Sequence, residues 1–150
     1  MLDENVIAEL VGRKVVTDTF RRLTPDKKER LYRTAIRLFG KYGYDGLAVE
    51  VICTQAGISK GSFFQYFPSK SHLLEFAVLV FDDYLTRTVA EIRAQEKAVL
   101  ARDRILYLYH AVAVNTRLYE DEQAFYLFVT MAVRHAAITF SSSISKPPYM

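Results

Sequence analysis

The sequence predicts an all-α protein. Apolar residues recur at helical spacing along most of its length, and helix start and stop signals punctuate it. No stretch reads as a strand: the β-branched residues near Val112–Thr116 continue a helical pattern. The best-marked helix runs near residues 25–42. Thr24 is a good N-cap, Pro25 suits the first helical position, and Asp26 puts an acid in the first turn. Leu31, Ala35, Leu38 and Phe39 share one face. Lys41 falls in the last turn, and Gly43 can take the left-handed conformation that ends a helix.

Upstream, residues 3–20 read as one amphipathic helix with Val6, Leu10 and Val15 on a face. Gly12 and the β-branched pair Val15-Val16 weaken it. Downstream, residues 43–47 (GYDGL) form a turn, and Val49–Ala56 a short helix with Val49, Ile52 and Cys53 on one side. Gly57 breaks that helix. Ser59 caps a third over 60–66, which Pro68 cannot continue, and Ser69 caps a long fourth helix over 70–95. Leu73, Ala77, Val80, Phe81, Tyr84 and Val89 mark its buried side. Helices over 101–118 and 121–140 are apolar on more than one face, which suits packing among other helices. The tail, SSSISKPPYM, reads as frayed.

Composition narrows the class. Hydrophobic residues make up 51% and charged residues 25% of the 150, as in a globular protein. The one cysteine, Cys53, excludes a disulfide scaffold and fits a reducing compartment. No apolar run approaches the roughly 20 residues of a membrane span. The opening MLDENVIAEL is acidic and mixed, unlike a secretory signal, so a cytoplasmic location is expected. Net charge is +3; residues 1–80 hold 12 basic and 9 acidic residues, and residues 81–150 hold 8 of each. The excess suits a modest phosphate-facing surface in the first half.

Nothing argues for catalysis. His72, His110 and His135 lack metal-ligand spacing with other ligating residues, and no nucleophile–base–acid trio is present. Glu120-Asp121-Glu122 reads as a solvated helix start, where acids are favourable. No cofactor or metal is expected.

The most informative stretch is QAGISKGSFFQYFPSK, Gln55–Lys70. It is not a phosphate-binding P-loop, because Lys60 precedes Gly61 and no strand leads in. Phe63 and Phe67 suit a plug between short helices, but that leaves Ser59, Lys60, Ser62, Gln65, Tyr66 and Lys70 without a role. A helix-turn-helix uses them all. Its second helix would enter the major groove N-terminus first. Gln65 can pair bidentately with adenine, and Lys60 can reach guanine or phosphate. Tyr66 and the hydroxyls can bond phosphate oxygens, and Gly61 lets the backbone come close.

Residues 27–76 resemble the DNA-binding domain of the TetR family of bacterial transcriptional regulators. The resemblance rests on the periodic helix ending in Phe39 and Gly43-Tyr44, then Val49 and Ile52, then Ala56-Gly57-Ile58-Ser59-Lys60-Gly61-Ser62. It continues through Tyr66-Phe67, Ser69-Lys70 and Leu73-Leu74, without gaps. It implies a three-helix, helix-turn-helix DNA-binding domain within residues 1–70. An antiparallel helical domain for ligand binding and dimerisation would follow over 71–150. It implies a repressor of a double-stranded DNA operator, released by a small apolar or amphipathic effector, and acting as a homodimer. Carried over by position, Ser59, Lys60, Gly61, Ser62, Gln65 and Tyr66 lie on the recognition helix or its start, with Tyr44 and Lys70 near phosphates.

The sequence departs from the family pattern in four ways. Leu47 and Ala48 replace the usual hydroxyl residues at the start of the second helix. Phe64 replaces a tyrosine, and Cys53 a small alanine. The sequence stops at Met150, before the late helices through which TetR proteins usually dimerise. In the second half, Tyr84, Tyr107, His110, Asn115, Phe125, Phe128, Met131 and His135 mix polar tips or adaptable side chains with apolar surroundings, as effector pockets do. Any one alone is more simply a core residue; the resemblance supports the set. The alternative reading is a small-molecule-binding or interaction module with a vestigial helix-turn-helix.

Overall fold

A computed structural model describes residues 2–95 and 120–135. Seven α-helices follow in order among these residues: α1 (Glu4–Gly12), α2 (Asp18–Arg21), α3 (Pro25–Tyr42), α4 (Val49–Ala56), α5 (Lys60–Tyr66), α6 (Lys70–Gln95) and α7 (Glu120–His135). The all-α expectation holds, and α3 to α6 have the expected bounds. The helix expected over 101–118, the part of 121–140 beyond His135, and the tail lie outside the described residues.

The single helix expected over 3–20 is corrected. Arg13 caps α1, Lys14 turns with φ of 60°, and Thr17 starts α2 by accepting from the Phe20 N–H. A continuous helix would point Val15 and Val16 about 100° apart. The turn buries both, together with Phe20. Burial of two β-branched side chains outweighs the helical bonds lost at a segment of weak propensity.

The core forms around α3, whose Leu31, Ala35, Ile36, Leu38 and Phe39 are buried. Beneath α5 lies an aromatic knot. Phe67 sits 5.2 Å from Phe20, 5.6 Å from Phe63 and 5.5 Å from Phe76 between ring centroids. All four rings are fully buried. Such tilted and edge-on pairs add to the gain from burial alone. Lys28, buried in α3, donates to the Glu4 carboxylate at 3.0 Å and ties α1 to the bundle.

Helix α7 lies along α3. A Cβ on Gly40 would stand 2.9 Å from the backbone nitrogen of Phe125 and 3.1 Å from the Ala124 carbonyl carbon, so only glycine permits this approach. Phe125 meets Phe81 of α6 at 5.4 Å, and Phe128 stacks on Phe39 at 6.3 Å. One continuous apolar core therefore joins helices on both sides of residue 70.

Glu122 enters this junction as a buried carboxylate, 3.8 Å from Arg33. Burial raises its pKa, against the opposing pull of Arg33. Burial, and then Glu122, hold the Tyr32 hydroxyl far above the ordinary tyrosine range. A carboxyl with a raised folded-state pKa favours the fold while protonated, and that contribution is lost as pH rises through the folded-state pKa. Glu122→Gln should therefore raise Tm at neutral pH, with the gain shrinking on acidification, in thermal unfolding across pH. A lower Tm at neutral pH would mean that the Arg33 pairing outweighs desolvation.

Candidate nucleic-acid interface

Helices α4 and α5 meet across a three-residue turn, Gly57–Ser59. Gly57 sits in the left-handed region at φ 69°, and the Ile58 N–H closes α4 by donating to the Cys53 carbonyl at 3.0 Å. A residue with a Cβ would be strained there. The Ser59 hydroxyl accepts from the Ser62 N–H at 3.0 Å and donates to the Ser62 hydroxyl at 2.9 Å, which starts α5.

The amphipathic pattern of α5 divides its residues. Phe63 and, just past the helix, Phe67 point into the aromatic knot. Lys60, Gly61, Phe64 and Gln65 are exposed, while Ser62 and Tyr66 are half-buried. The structure thus gathers Ser59, Lys60, Gly61, Ser62, Gln65 and Tyr66 on one short helix and its cap, over a rigid apolar floor. Phe64, 46% exposed, adds a ring to this face that can contact a thymine methyl. Losing a tyrosine hydroxyl removes a phosphate donor but leaves this apolar option.

Lys60 is partnered: its ammonium donates to the Glu50 carboxylate of α4 at 2.7 Å. The contact raises the lysine pKa and lowers that of Glu50. Both side chains are exposed, so the pair is readily exchanged for a phosphate or a base edge.

Tyr44 and Lys70 come together beside the α3–α4 turn. The Lys70 ammonium donates to the carbonyls of Tyr44 at 2.8 Å and Leu47 at 3.1 Å, and lies 4.2 Å from the Tyr44 ring centre. An ammonium has three donors, so one N–H of Lys70 is left for a phosphate. These bonds tie Lys70 to the turn that precedes α4.

Helix α4 itself starts without a side-chain cap, because Ala48 stands at the N-cap position. Its backbone is already extended, at φ −80° and ψ 147°, as a capping serine requires. Ala48→Ser should therefore stabilise the protein by about 0.5–2 kcal/mol in denaturant unfolding. An unchanged midpoint would mean that solvent already satisfies these amides. Leu47 is buried in the core. Cys53 is a buried free thiol whose pKa is pushed up by burial, and then by Glu50. A thiol so held is a poor nucleophile and serves as a small hydrophobe.

Sequence reasoning missed Thr17. Its N–H donates to the Tyr66 carbonyl at 3.0 Å, and its hydroxyl donates to the Gln65 carbonyl while accepting from the Phe20 N–H at 3.3 Å. The N-terminal helices thereby grip the last turn of α5. The only local signal was a Thr followed by Asp at a helix start, which gives the cap but not its distant partner.

Three side chains of the expected effector set are described. Phe125 is fully buried between Phe81 and Phe128. Phe128 is partly buried against Phe39. Tyr84 lines a cleft of about 60 Å³ with Tyr32, Val80 and Glu122, in which Phe125 and Phe128 take no part. Met131 and His135 fall in the later turns of α7, and their side chains, with Tyr107, His110 and Asn115, lie outside the described residues.

Residues 31–77 match a family model for bacterial regulatory proteins of the tetR family. The matched segment, from within α3 to the first turns of α6, is similar to the DNA-binding part of that family. Two uncharacterized HTH-type transcriptional regulators of Bacillus subtilis (strain 168), YerO and YuxN, are 47% and 43% identical to this chain over 49 residues. Those residues are 33% of this chain and 17% of each relative. The biofilm operon icaADBC HTH-type negative transcriptional regulator IcaR of Staphylococcus aureus (strain Newman) is 34% identical over 62 residues, 41% of this chain and 33% of the relative. The chain thus spans a sixth to a third of the length of the relatives it matches. No solved structure matches it. The TetR match takes in α4, the turn and α5 whole. It leaves out α1 and α2, which hold the grip on Gln65 and Tyr66. Among the described residues, no helix is long and apolar enough to cross a membrane.

Proposed function

We propose that this protein is a DNA-binding transcriptional regulator, a repressor in which α5 reads the major groove of a double-stranded operator. One observation supports this above the rest. Lys60, Gly61, Phe64 and Gln65 stand exposed on one face of α5, in the TetR-family helix-turn-helix, while the other face is fixed on four buried rings. In this reading Gln65 and Lys60 touch base edges. Ser59, Ser62, Tyr66, Tyr44 and Lys70 hold phosphates, and Gly61 lets the backbone approach. The protein binds and does not catalyse, and it acts in the cytoplasm.

Residues 71–150 would supply the regulatory half, taking up a small apolar or amphipathic effector and supporting a homodimer. The contact of α7 with α3 offers a route for such coupling, because a shift of α7 would press on the helix that carries α4 and α5. Ligand and operator affinities would then change reciprocally.

The test is direct. Gln65→Ala and Lys60→Ala should each weaken binding to a preferred duplex by about 5–150-fold, as loss of a base contact does. Both should leave Tm nearly unchanged, since the two side chains are exposed. Parent-like binding by both variants would remove α5 from the interface.

The uncapped start of α4 and the missing hydroxyl at Phe64 favour a second reading: a small-molecule-binding or interaction module with a vestigial helix-turn-helix. It predicts weak, sequence-indifferent DNA binding that falls steeply with salt.

A further inference from the structure

We infer that the N-terminal segment is a positioning device for the recognition helix, and that Thr17 is its operative residue. The inference rests on the DNA-binding reading of α5. Helix α5 has only seven residues, Lys60–Tyr66, and ends against Pro68. A helix so short leaves its last carbonyls without intrahelical partners. Two of them, on Gln65 and Tyr66, are taken by the hydroxyl and the amide of Thr17, 48 and 49 positions away in the chain. The same hydroxyl accepts from Phe20, whose buried ring lies 6.5 Å from Tyr66 and 5.2 Å from Phe67.

Two fixed points outside α5 thus set its roll and tilt: the aromatic knot beneath and Thr17 at its end. Gln65 is held directly, because its own carbonyl is one of the two. A base-reading amide must be held in one orientation to make both bonds to adenine, whereas phosphate contacts carry no sequence information. Releasing the end of α5 should therefore reduce discrimination between sequences more than general affinity for DNA. Thr17 touches no base in this arrangement; it acts through Gln65.

The test compares four proteins on two duplexes at one salt concentration: the sequence the parent selects from a random pool, and a scrambled version of it. Thr17→Val keeps the shape but removes the hydroxyl. It should bind the selected duplex about 5–10-fold less tightly, on the scale of one lost hydrogen bond, and the scrambled duplex as the parent does. Thr17→Ser should restore the preference. Thr24→Val removes the equivalent cap of α3, which has no bond to α5. It should lower Tm and leave the ratio of the two affinities intact. An unchanged ratio in Thr17→Val, or an equal loss on both duplexes, overturns the inference while leaving the regulator reading in place. A parent that selects no sequence overturns the regulator reading, and this inference with it.

Discussion

Phe67→Ala should lower the unfolding free energy by about 3–5 kcal/mol, a large fraction of the stability of a domain this size. Phe67 is fully buried and faces Phe20, Phe63 and Phe76 from α2, α5 and α6. Its removal opens a cavity where three helices meet. Pro68 and the cap of α6 follow it at once, which limits how far the backbone can collapse into the space. The check is equilibrium denaturation followed by circular dichroism. Phe67→Leu keeps most of the volume and should recover much of the loss. A cost under about 1 kcal/mol for the alanine variant would mean that the knot repacks freely, and the rigid floor assigned to α5 would be wrong.

Gly40→Leu is expected to have the second large effect, at a different place. The added Cβ would meet the backbone of Ala124 and Phe125 at about 3 Å, and backbone cannot swing aside as a side-chain tip can. Overpacking of this kind costs about 1–3 kcal/mol. The strain lies between α3 and α7, so the damage should be local. In hydrogen exchange, the amides of α7 should lose protection, while those of α4 and α5 keep theirs. Binding to a preferred duplex should change, because the proposed coupling runs from α7 through α3. Loss of protection throughout would mean that α7 is integral to the helix-turn-helix core. Full retention would mean that α7 does not press on α3 at Gly40.

The two variants divide the molecule as the sequence does. Helices α3 to α6 were legible because their signals are local: Thr24 with Pro25, Gly57, Ser59 and Pro68 each fix an end within a few residues. The polar face of α5 was legible for the same reason, since a helix of known limits sorts its own residues. The break at Lys14 was not. Gly12 and Val15-Val16 showed a weakened helix, but the choice of a turn depends on a core built by Phe20, Phe63 and Phe76, far apart in sequence. Thr17 shows the same limit. Its capping role is local, whereas its bonds to Gln65 and Tyr66 follow only from the packing of α2 on α5. Likewise Lys70, expected at a phosphate, spends two donors on the carbonyls of Tyr44 and Leu47. No spacing in the sequence reports such a bond across more than 20 residues. Glu50 was passed over because an acid near a helix start has a sufficient local reason, and its pairing with Lys60 needs the turn geometry.

The decisive measurement is selection of bound sequences from a random duplex pool at near-physiological salt, with the parent protein and Gln65→Ala side by side. An enriched motif for the parent, weakened or changed at one base pair in the variant, is the expected result. Two inverted copies at a fixed spacing would also give the geometry of a dimer on DNA. A parent pool as random as the input, or one motif shared unchanged by both proteins, would contradict groove reading by α5.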